Sequence, residues 1–118
     1  DITEGGVLGA VWEAHKAIGK GIRLYKDFIP LTDITLEVCK LLDINPLRLI
    51  SSGSMLMIAS DEQVELLQAE LEKKGIPLTL IGEVIEEGLY MEGLSGIEEI
   101  QPPKADELYV AISKFNGI

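Results

Sequence analysis

The 118-residue sequence has few of the residue types from which catalytic centres and disulfide frameworks are built. A single cysteine excludes a disulfide within the chain, and a single histidine makes a zinc site of Cys and His ligands improbable. Lys and Arg number 10 against 20 Asp and Glu, so no basic stripe is present that could bind nucleic acid. No apolar run approaches the roughly 20 residues that a membrane span needs. These absences predict a cytoplasmic globular domain that binds neither nucleic acid nor membrane.

The residues most often used in catalysis have ordinary explanations here. We expect His15 to be a partly exposed helix residue, because no acid stands near it that could orient the ring for a serine hydrolase. Cys39 lies in a helix-like stretch and is expected to be a small buried apolar residue. The adjacent acids Glu98-Glu99 and Asp106-Glu107 point in different directions on a strand or helix, so we expect them in solvent rather than in acid–base catalysis.

Apolar periodicity and turn residues predict alternating helices and strands. Helices are predicted at 6–18, from a cap at Thr32 or Asp33 to before Asn45, from Asp61 to before Gly75, and at 106–115. Strands are predicted at 22–26, 54–59, 78–85, 89–91 and 97–100. The run 54–59 is almost continuously apolar, which is typical of a strand covered on both faces, so we place it at the centre of the sheet. The class is α+β or mixed α/β, with about four strands.

The chain opens on a first candidate site, Asp1-Ile2-Thr3-Glu4-Gly5-Gly6, which runs directly into the first predicted helix. Paired glycines let backbone N–H groups approach a ligand, and the N-terminus of the helix carries partial positive charge. Asp1 would hold a cation or a ligand hydroxyl, Thr3 would cap the helix, and Gly5 and Gly6 would present N–H groups to an anion. The alternative is an N-cap with a flexible turn, since the pattern matches neither a phosphate loop nor a dinucleotide fingerprint.

A second candidate site, Ser51-Ser52-Gly53-Ser54, places three hydroxyls around a glycine just before the apolar run 54–59. Hydroxyl groups can donate hydrogen bonds to carboxylate, phosphate or amide groups. A polar turn without a ligand would have the same composition. We therefore treat the two segments together as the candidate ligand-binding and phosphate-binding residues.

The two segments in this order resemble a known family. The opening stretch Asp1 to Leu8, followed by Leu49 to Leu56, is similar to the C-terminal domain of the aminoimidazole ribonucleotide (AIR) synthetase superfamily, which includes the hydrogenase maturation factor that makes the cyanide ligand. The resemblance continues through Ile81-Gly82-Glu83-Val84 and into the closing helix after Pro102-Pro103. It extends over essentially the whole chain.

The resemblance implies a fold and a setting. The fold is a three-layer α/β/α domain with a roughly four-stranded mixed sheet, partly ferredoxin-like. Residues 1–118 would be the C-terminal domain of a longer, homodimeric protein whose N-terminal domain, absent from this sequence, supplies most contacts to ATP and Mg²⁺. Asp1, Thr3, Gly5, Gly6 and the loop 51–54 would face the cleft between the two domains. We expect no tightly bound cofactor and no activity from the isolated domain.

Two departures from the hydrogenase maturation factor leave the function open. Ser52 stands where that factor carries an acid, and the sequence ends at Ile118 without its cysteine-bearing tail. The leading hypothesis is the cleft-closing domain of an ATP-dependent enzyme that phosphorylates an amide or carboxyl oxygen of a small-molecule or protein-bound substrate. The alternatives are a non-catalytic ligand-binding or regulatory module with the same fold and an acidic protein–protein adaptor.

Overall fold

The computed structural model describes residues 1–116, which form four α-helices and a four-stranded sheet. The helices are α1 (Gly6–Ile18), α2 (Asp33–Leu42), α3 (Asp61–Lys73) and α4 (Glu107–Asn116). The strands are β1 (Gly21–Tyr25), β2 (Gly82–Ile85), β3 (Leu89–Gly93) and β4 (Gly96–Glu99). Short 3-10 turns lie at Lys26–Phe28 and Pro46–Arg48. None of the helices in the described part of the chain is long and apolar enough to cross a membrane.

The sheet is mixed, with strand order β2-β1-β3-β4. β1 pairs in parallel with β3, so that Ile22 lies opposite Leu89 and Leu24 opposite Met91. β1 also pairs antiparallel with β2, and β3 pairs antiparallel with β4. Because β1 and β3 are parallel, a long connection must separate them along the chain, and it contains α2, α3 and β2. The predicted α+β class with a roughly four-stranded mixed sheet is confirmed.

The hydrophobic core forms where α1 lies against the central strands. Leu8 and Val11 of α1 are buried, as the helical stripe predicted, and the alternating residues Ile22 and Leu24 of β1 point into the same core. The buried cluster contains Leu8, Val11, Ile22, Leu24, Ile29, Leu47, Leu89, Met91 and Ile100. The core therefore joins α1, the sheet and the turn Pro46–Arg48.

The starts of α2 and α3 are fixed by local capping. The Thr32 hydroxyl accepts a hydrogen bond from the Thr35 N–H at 3.2 Å, which confirms the predicted cap of α2. Ser60 and Gln63 form a reciprocal capping box at the start of α3, with N–H to oxygen distances of 3.3 and 3.2 Å. The predicted helix from Asp61 is confirmed, and its half-buried side carries Val64, Leu67 and Leu71 as expected.

The prediction of a central strand at 54–59 is wrong. Only Ser54 pairs, in an isolated antiparallel bridge with Ile2, and the residues after it are extended without a ladder. β1 already pairs on both edges, with β2 and β3, so no central position remains for a further strand. Met55 is 67% exposed, and only Leu56 of this segment packs against the core. The predicted strand 78–85 is likewise shorter, because only Gly82–Ile85 pairs.

α2 leaves most of its apolar side chains in solvent, although its polar residues Asp33, Glu37 and Lys40 are exposed as well. Its apolar stripe, Ile34, Val38 and Leu41, faces solvent, with Ile34 75% exposed and Leu41 85% exposed. The buried residue of the helix is Cys39, as predicted. His15 of α1 is half-buried, and its Nδ1 lies 2.6 Å from the backbone oxygen of Lys20, which confirms an ordinary helix residue.

Candidate functional site

The structure brings the two candidate segments into direct contact. The N–H of Ile2 donates to the backbone oxygen of Ser54 at 2.9 Å, and the Ile2 side chain is buried. Asp1 and Thr3, on either side of Ile2, are exposed. The opening segment and the loop 51–54 therefore lie side by side, and we call the candidate residues together the paired-loop surface: Asp1, Thr3, Gly5, Gly6, Ser51, Ser52, Gly53 and Ser54. Asp1, Thr3, Ser52 and Gly53 are its exposed members, whereas Gly5 and Gly6 are buried.

The glycines of the opening turn are required by both conformation and space. Gly5, the N-cap of α1, has φ 84°, and Gly6 has φ 65°, values that favour glycine. A Cβ on Gly6 would lie 2.6 Å from the carbonyl oxygens of both Leu47 and Leu49. Gly6 thus lets the start of α1 pack directly on the turn that leads into the serine loop.

The N–H groups of these glycines already have partners within the chain. The Gly5 N–H donates to Oδ2 of Asp106 at 2.5 Å, and the Gly6 N–H donates to the backbone oxygen of Thr3 at 3.2 Å. The N-cap of α1 is Gly5 and no side chain caps the helix, so the prediction that Thr3 caps it is wrong. The groups that the opening segment leaves free for a ligand are consequently the side chains of Asp1 and Thr3.

The expectation that Asp106 lies in solvent is wrong, because its carboxylate is a buried hydrogen-bond acceptor. It is only 3% exposed, and its Oδ1 accepts hydrogen bonds from the N–H of Ile50 at 3.1 Å and of Leu108 at 2.7 Å. With the bond from Gly5, one carboxylate joins three segments of the chain. The Leu108 bond is a helix N-cap, which the position before α4 could have indicated. Nothing in the sequence identifies the two distant partners.

The serine loop is a tight polar turn whose tip points outward. The Ser54 N–H donates to the Ser51 oxygen at 3.3 Å, and the two hydroxyl oxygens of these serines lie 3.1 Å apart. Ser52 and Gly53 at the tip are exposed, and Gly53 has φ 90° with no atom within 4 Å of the position a Cβ would take. The tip therefore offers a hydroxyl and an unobstructed backbone to a ligand.

Further contacts tie the closing part of the chain to the paired-loop surface. The Tyr109 hydroxyl donates to Glu4 at 3.2 Å, and this carboxylate partner raises the pKa of Tyr109. Arg48 donates from Nη2 to the Gln101 oxygen at 2.7 Å, and burial lowers the pKa of its guanidinium while Glu107 acts in the opposite direction. Arginine remains charged despite such a shift.

The paired-loop surface is suited to hydrogen bonding with an oxyanion and not to nucleophilic catalysis. Its free groups are hydroxyls and one carboxylate, and His15, the histidine that a serine nucleophile would need, donates from Nδ1 to the backbone oxygen of Lys20 instead. Within residues 1–116, no three His, Cys, Asp or Glu side chains are grouped so that they could hold a metal ion. A divalent ion would need ligands from a bound phosphate or from another chain segment.

Comparison with known proteins assigns the class. The family model for the C-terminal domain of AIR synthase related proteins matches residues 1–92. This match includes all eight residues of the paired-loop surface and most of the chain, and the chain belongs to this family.

Hydrogenase maturation proteins are among the relatives within that family. The crystal structure of Escherichia coli HypE, a hydrogenase maturation protein, superimposes with a TM-score of 0.82 at 30% sequence identity, covering 94% of this chain and 36% of HypE. A Methanocaldococcus jannaschii protein named for hydrogenase expression and formation is 27% identical over 112 residues, which cover 92% of this chain and 33% of that protein. HypE in a HypE–HypF complex shares the fold, with a TM-score of 0.67 at 23% identity over 87% of this chain and 35% of that one. The chain spans about a third of the length of these relatives.

Proposed function

We propose that this chain is the cleft-closing C-terminal domain of a longer, ATP-dependent protein related to HypE. In this proposal the protein is a cytoplasmic homodimer, and its other domain supplies most of the contacts to ATP and Mg²⁺. Coverage of only 36% of HypE and 33% of the M. jannaschii relative supports the existence of that further domain. The substrate would be an amide or carboxyl group, on a small molecule or a protein, whose oxygen is phosphorylated.

The observation that carries the proposal is the backbone bridge between Ile2 and Ser54. It holds two segments that are distant in sequence side by side. Asp1 and Thr3 are exposed on either side of Ile2, and Ser52 is exposed two residues before Ser54. Hydroxyl groups there can donate to phosphate oxygens, and the Asp1 carboxylate can accept from a ligand hydroxyl or from the water shell of Mg²⁺. The residues present therefore fit a nucleotide phosphate held mainly from the other side of a cleft.

ATP would supply the phosphoryl group, and the residues of this chain would position it and exclude water. Because the N–H groups of Gly5 and Gly6 are engaged internally, the hydroxyls of Thr3 and Ser52 are the groups in this proposal that contact the phosphates. The net charge of −10 does not exclude binding, since Mg²⁺ would neutralise the phosphates locally and hydroxyls would donate hydrogen bonds to them.

The test is calorimetric titration of the longer protein with ATP and Mg²⁺. We expect Thr3→Ala combined with Ser52→Ala to weaken binding about tenfold, from the loss of two hydrogen bonds. Ser95→Ala is the matched control, because Ser95 is equally exposed but lies in the turn between β3 and β4. No heat of binding with the unaltered protein, or equal affinities for the double variant and the control, would contradict the proposal.

A second function is favoured by Ser52. This residue is fully accessible at the tip of the loop, where the hydrogenase maturation factor is expected to carry an acid, and a serine without a base gives no acid–base catalysis. The chain would then belong to a non-catalytic module that binds a ligand in the same cleft. Binding of ATP and Mg²⁺ without hydrolysis in the presence of amide substrates would select this second function over the first.

A further inference from the structure

Asp106 lies outside the residues that the family model matches, yet it contacts Gly5 of the paired-loop surface and Ile50, the residue before the serine loop. The match covers residues 1–92, so it assigns no role to Asp106. Its carboxylate is 3% exposed and accepts from Gly5 at 2.5 Å and from Ile50 at 3.1 Å. Gly5 is in the opening turn, and Ile50 directly precedes the serine loop.

We propose that Asp106 is a positioning residue that holds the opening turn and the serine loop in one fixed arrangement. The inference rests on the proposed function for what the surface binds, but the positioning itself is a property of this chain. A carboxylate suits the task because both oxygens accept hydrogen bonds, and each bond from an N–H to a charged oxygen is stronger than a neutral one.

Among the side chains that the structure describes, those of residues 1–114, no other has hydrogen bonds both to the opening turn and to the stretch that begins at Ile50. Tyr109 reaches only Glu4, and Arg48 reaches only Gln101. The Ile2–Ser54 bridge lies at the outer end of the two segments, while Asp106 holds Gly5 and Ile50 at their inner ends. Two separate attachments prevent the segments from pivoting about the bridge.

The helix that follows is itself anchored, so Asp106 is not on a free end. Glu107 accepts from the Asn45 N–H at 3.2 Å, and Lys114 donates to the backbone oxygens of Leu42 and Asp43 at 2.6 and 2.9 Å. These contacts fix α4 against the C-terminal end of α2. The Asp106 carboxylate is therefore presented from a fixed support and can determine where the loops lie.

The test is hydrogen exchange of assigned amides in this chain, measured by NMR for Asp106→Asn, Asp106→Ala and the control Glu107→Gln. Asn keeps one acceptor oxygen and replaces the other with an NH₂ group, so it cannot hold both distant amides. We expect exchange at Gly5 or Ile50 to accelerate about 10- to 100-fold in Asp106→Asn. Glu107→Gln removes the same charge next to it but keeps an oxygen that can accept from the Asn45 N–H, so it should leave both amides within about twofold of the unaltered chain.

The Leu24 amide in β1 distinguishes positioning from general destabilisation. If exchange at Leu24 accelerates as much as at Gly5 and Ile50, Asp106 only stabilises the whole domain and the proposal is overturned. Unchanged exchange at Gly5 and Ile50 in Asp106→Asn would overturn it as well. If Asp106→Ala does not fold, the exchange rates at Gly5, Ile50 and Leu24 in Asp106→Asn test the proposal on their own.

The same variants in the longer protein connect the positioning to ligand binding. We expect Asp106→Asn to weaken binding of ATP and Mg²⁺ about tenfold while Glu107→Gln does not. If the unaltered longer protein binds no nucleotide, the proposed function fails, and the exchange measurements still decide the role of Asp106. If nucleotide binds equally well to both variants, the positioning has no bearing on this ligand and that part of the proposal is overturned.

Discussion

The part of the chain built on α1, β1 and β3 and the part around α3 are held together in different ways. In the first part, Leu8, Val11, Leu24 and Met91 are each less than 5% exposed. In the second, α3 contains no buried residue, and Leu66 and Ile76 are 69% and 49% exposed. The radius of gyration, 15.2 Å, exceeds the about 13.5 Å expected for a tightly packed chain of this length, which agrees with a loosely packed second part.

The difference shows that a helix with strong local sequence signals can form with little tertiary packing. α3 begins at a capping box and carries an ion pair between Lys73 and Glu70 at 3.3 Å, both of which act within the helix. The central strands have no capping box or ion pair within the strand and depend on hydrogen bonds to their neighbours in the sheet. We therefore expect mutations in the two parts to differ in size and in how far their effects spread.

The largest expected difference is between two leucines. Leu24→Ala should lower the free energy of unfolding by about 3–5 kcal/mol, because it leaves a cavity at a residue that is 1% exposed. Leu66→Ala on α3 should change it by less than about 0.5 kcal/mol. Urea unfolding followed by circular dichroism measures both. Comparable losses for the two variants would show that α3 packs into the same core.

Gly6→Ala should have the next largest effect. The added Cβ would collide with two backbone carbonyls in addition to the strain of a left-handed conformation, for a loss of about 2–4 kcal/mol. Gly19→Ala is a close control, since Gly19 has φ 67° against 65° for Gly6 and nothing lies within 4 Å of its added Cβ. It should cost about 1–2 kcal/mol. Equal midpoints in urea for the two variants would refute close packing at the opening turn.

Removing the capping box should produce a smaller and local effect. Ser60→Ala is expected to destabilise α3 by about 1 kcal/mol. Because α3 has no fully buried residue, its amides should exchange faster while those of β1 and β3 keep their rates, as hydrogen exchange measured by NMR can show. Accelerated exchange in both regions would mean that α3 and the sheet unfold together. Ser95→Ala, in an exposed turn, is a suitable control.

The smallest expected effect concerns Cys39 on the buried side of α2. Burial raises the pKa of its thiol, so at pH 8 the thiolate fraction is low and reaction with a disulfide reagent should be slow until the chain unfolds. The stability that comes from keeping the thiol neutral is complete below its ordinary pKa of about 8.5 and is lost as the pH rises through the raised value. Rapid modification of the folded chain at pH 8 would place Cys39 on the exposed side of the helix.

The four helices and the four strands of the sheet could be predicted from local patterns, whereas the pairing partners of each strand could not. A cap at Thr32 or Asp33 predicted the start of α2, apolar periodicity after Asp61 predicted α3, and Gly93 and Gly96 marked the turn between β3 and β4. The run 54–59 was misplaced because its apolar composition says nothing about whether an edge of the sheet is available. β1 uses both of its edges, which only the three-dimensional pairing reveals.

The site was predicted in its composition but not in its internal bonding. The resemblance placed residues 1–6 and 51–54 together, and the contact between Ile2 and Ser54 gives that expectation a physical basis. Whether the surface binds a ligand stays a prediction. The engagement of the Gly5 N–H could not be foreseen, because its partner Asp106 comes from the other end of the chain.

The bond between Gly5 and Asp106 also bears on which anions the domain can select. A free anion that approached the start of α1 would compete with a carboxylate that is already tethered there and loses no translational freedom by staying. The Asp106 carboxylate thus already offsets the partial positive charge at the N-terminus of α1, and common small anions in solution gain little by binding there. Discrimination among ligands would then depend on the exposed hydroxyls of Thr3 and Ser52. These uncharged groups form directional hydrogen bonds, so they would select for the positions of the ligand's acceptor atoms more than for its charge.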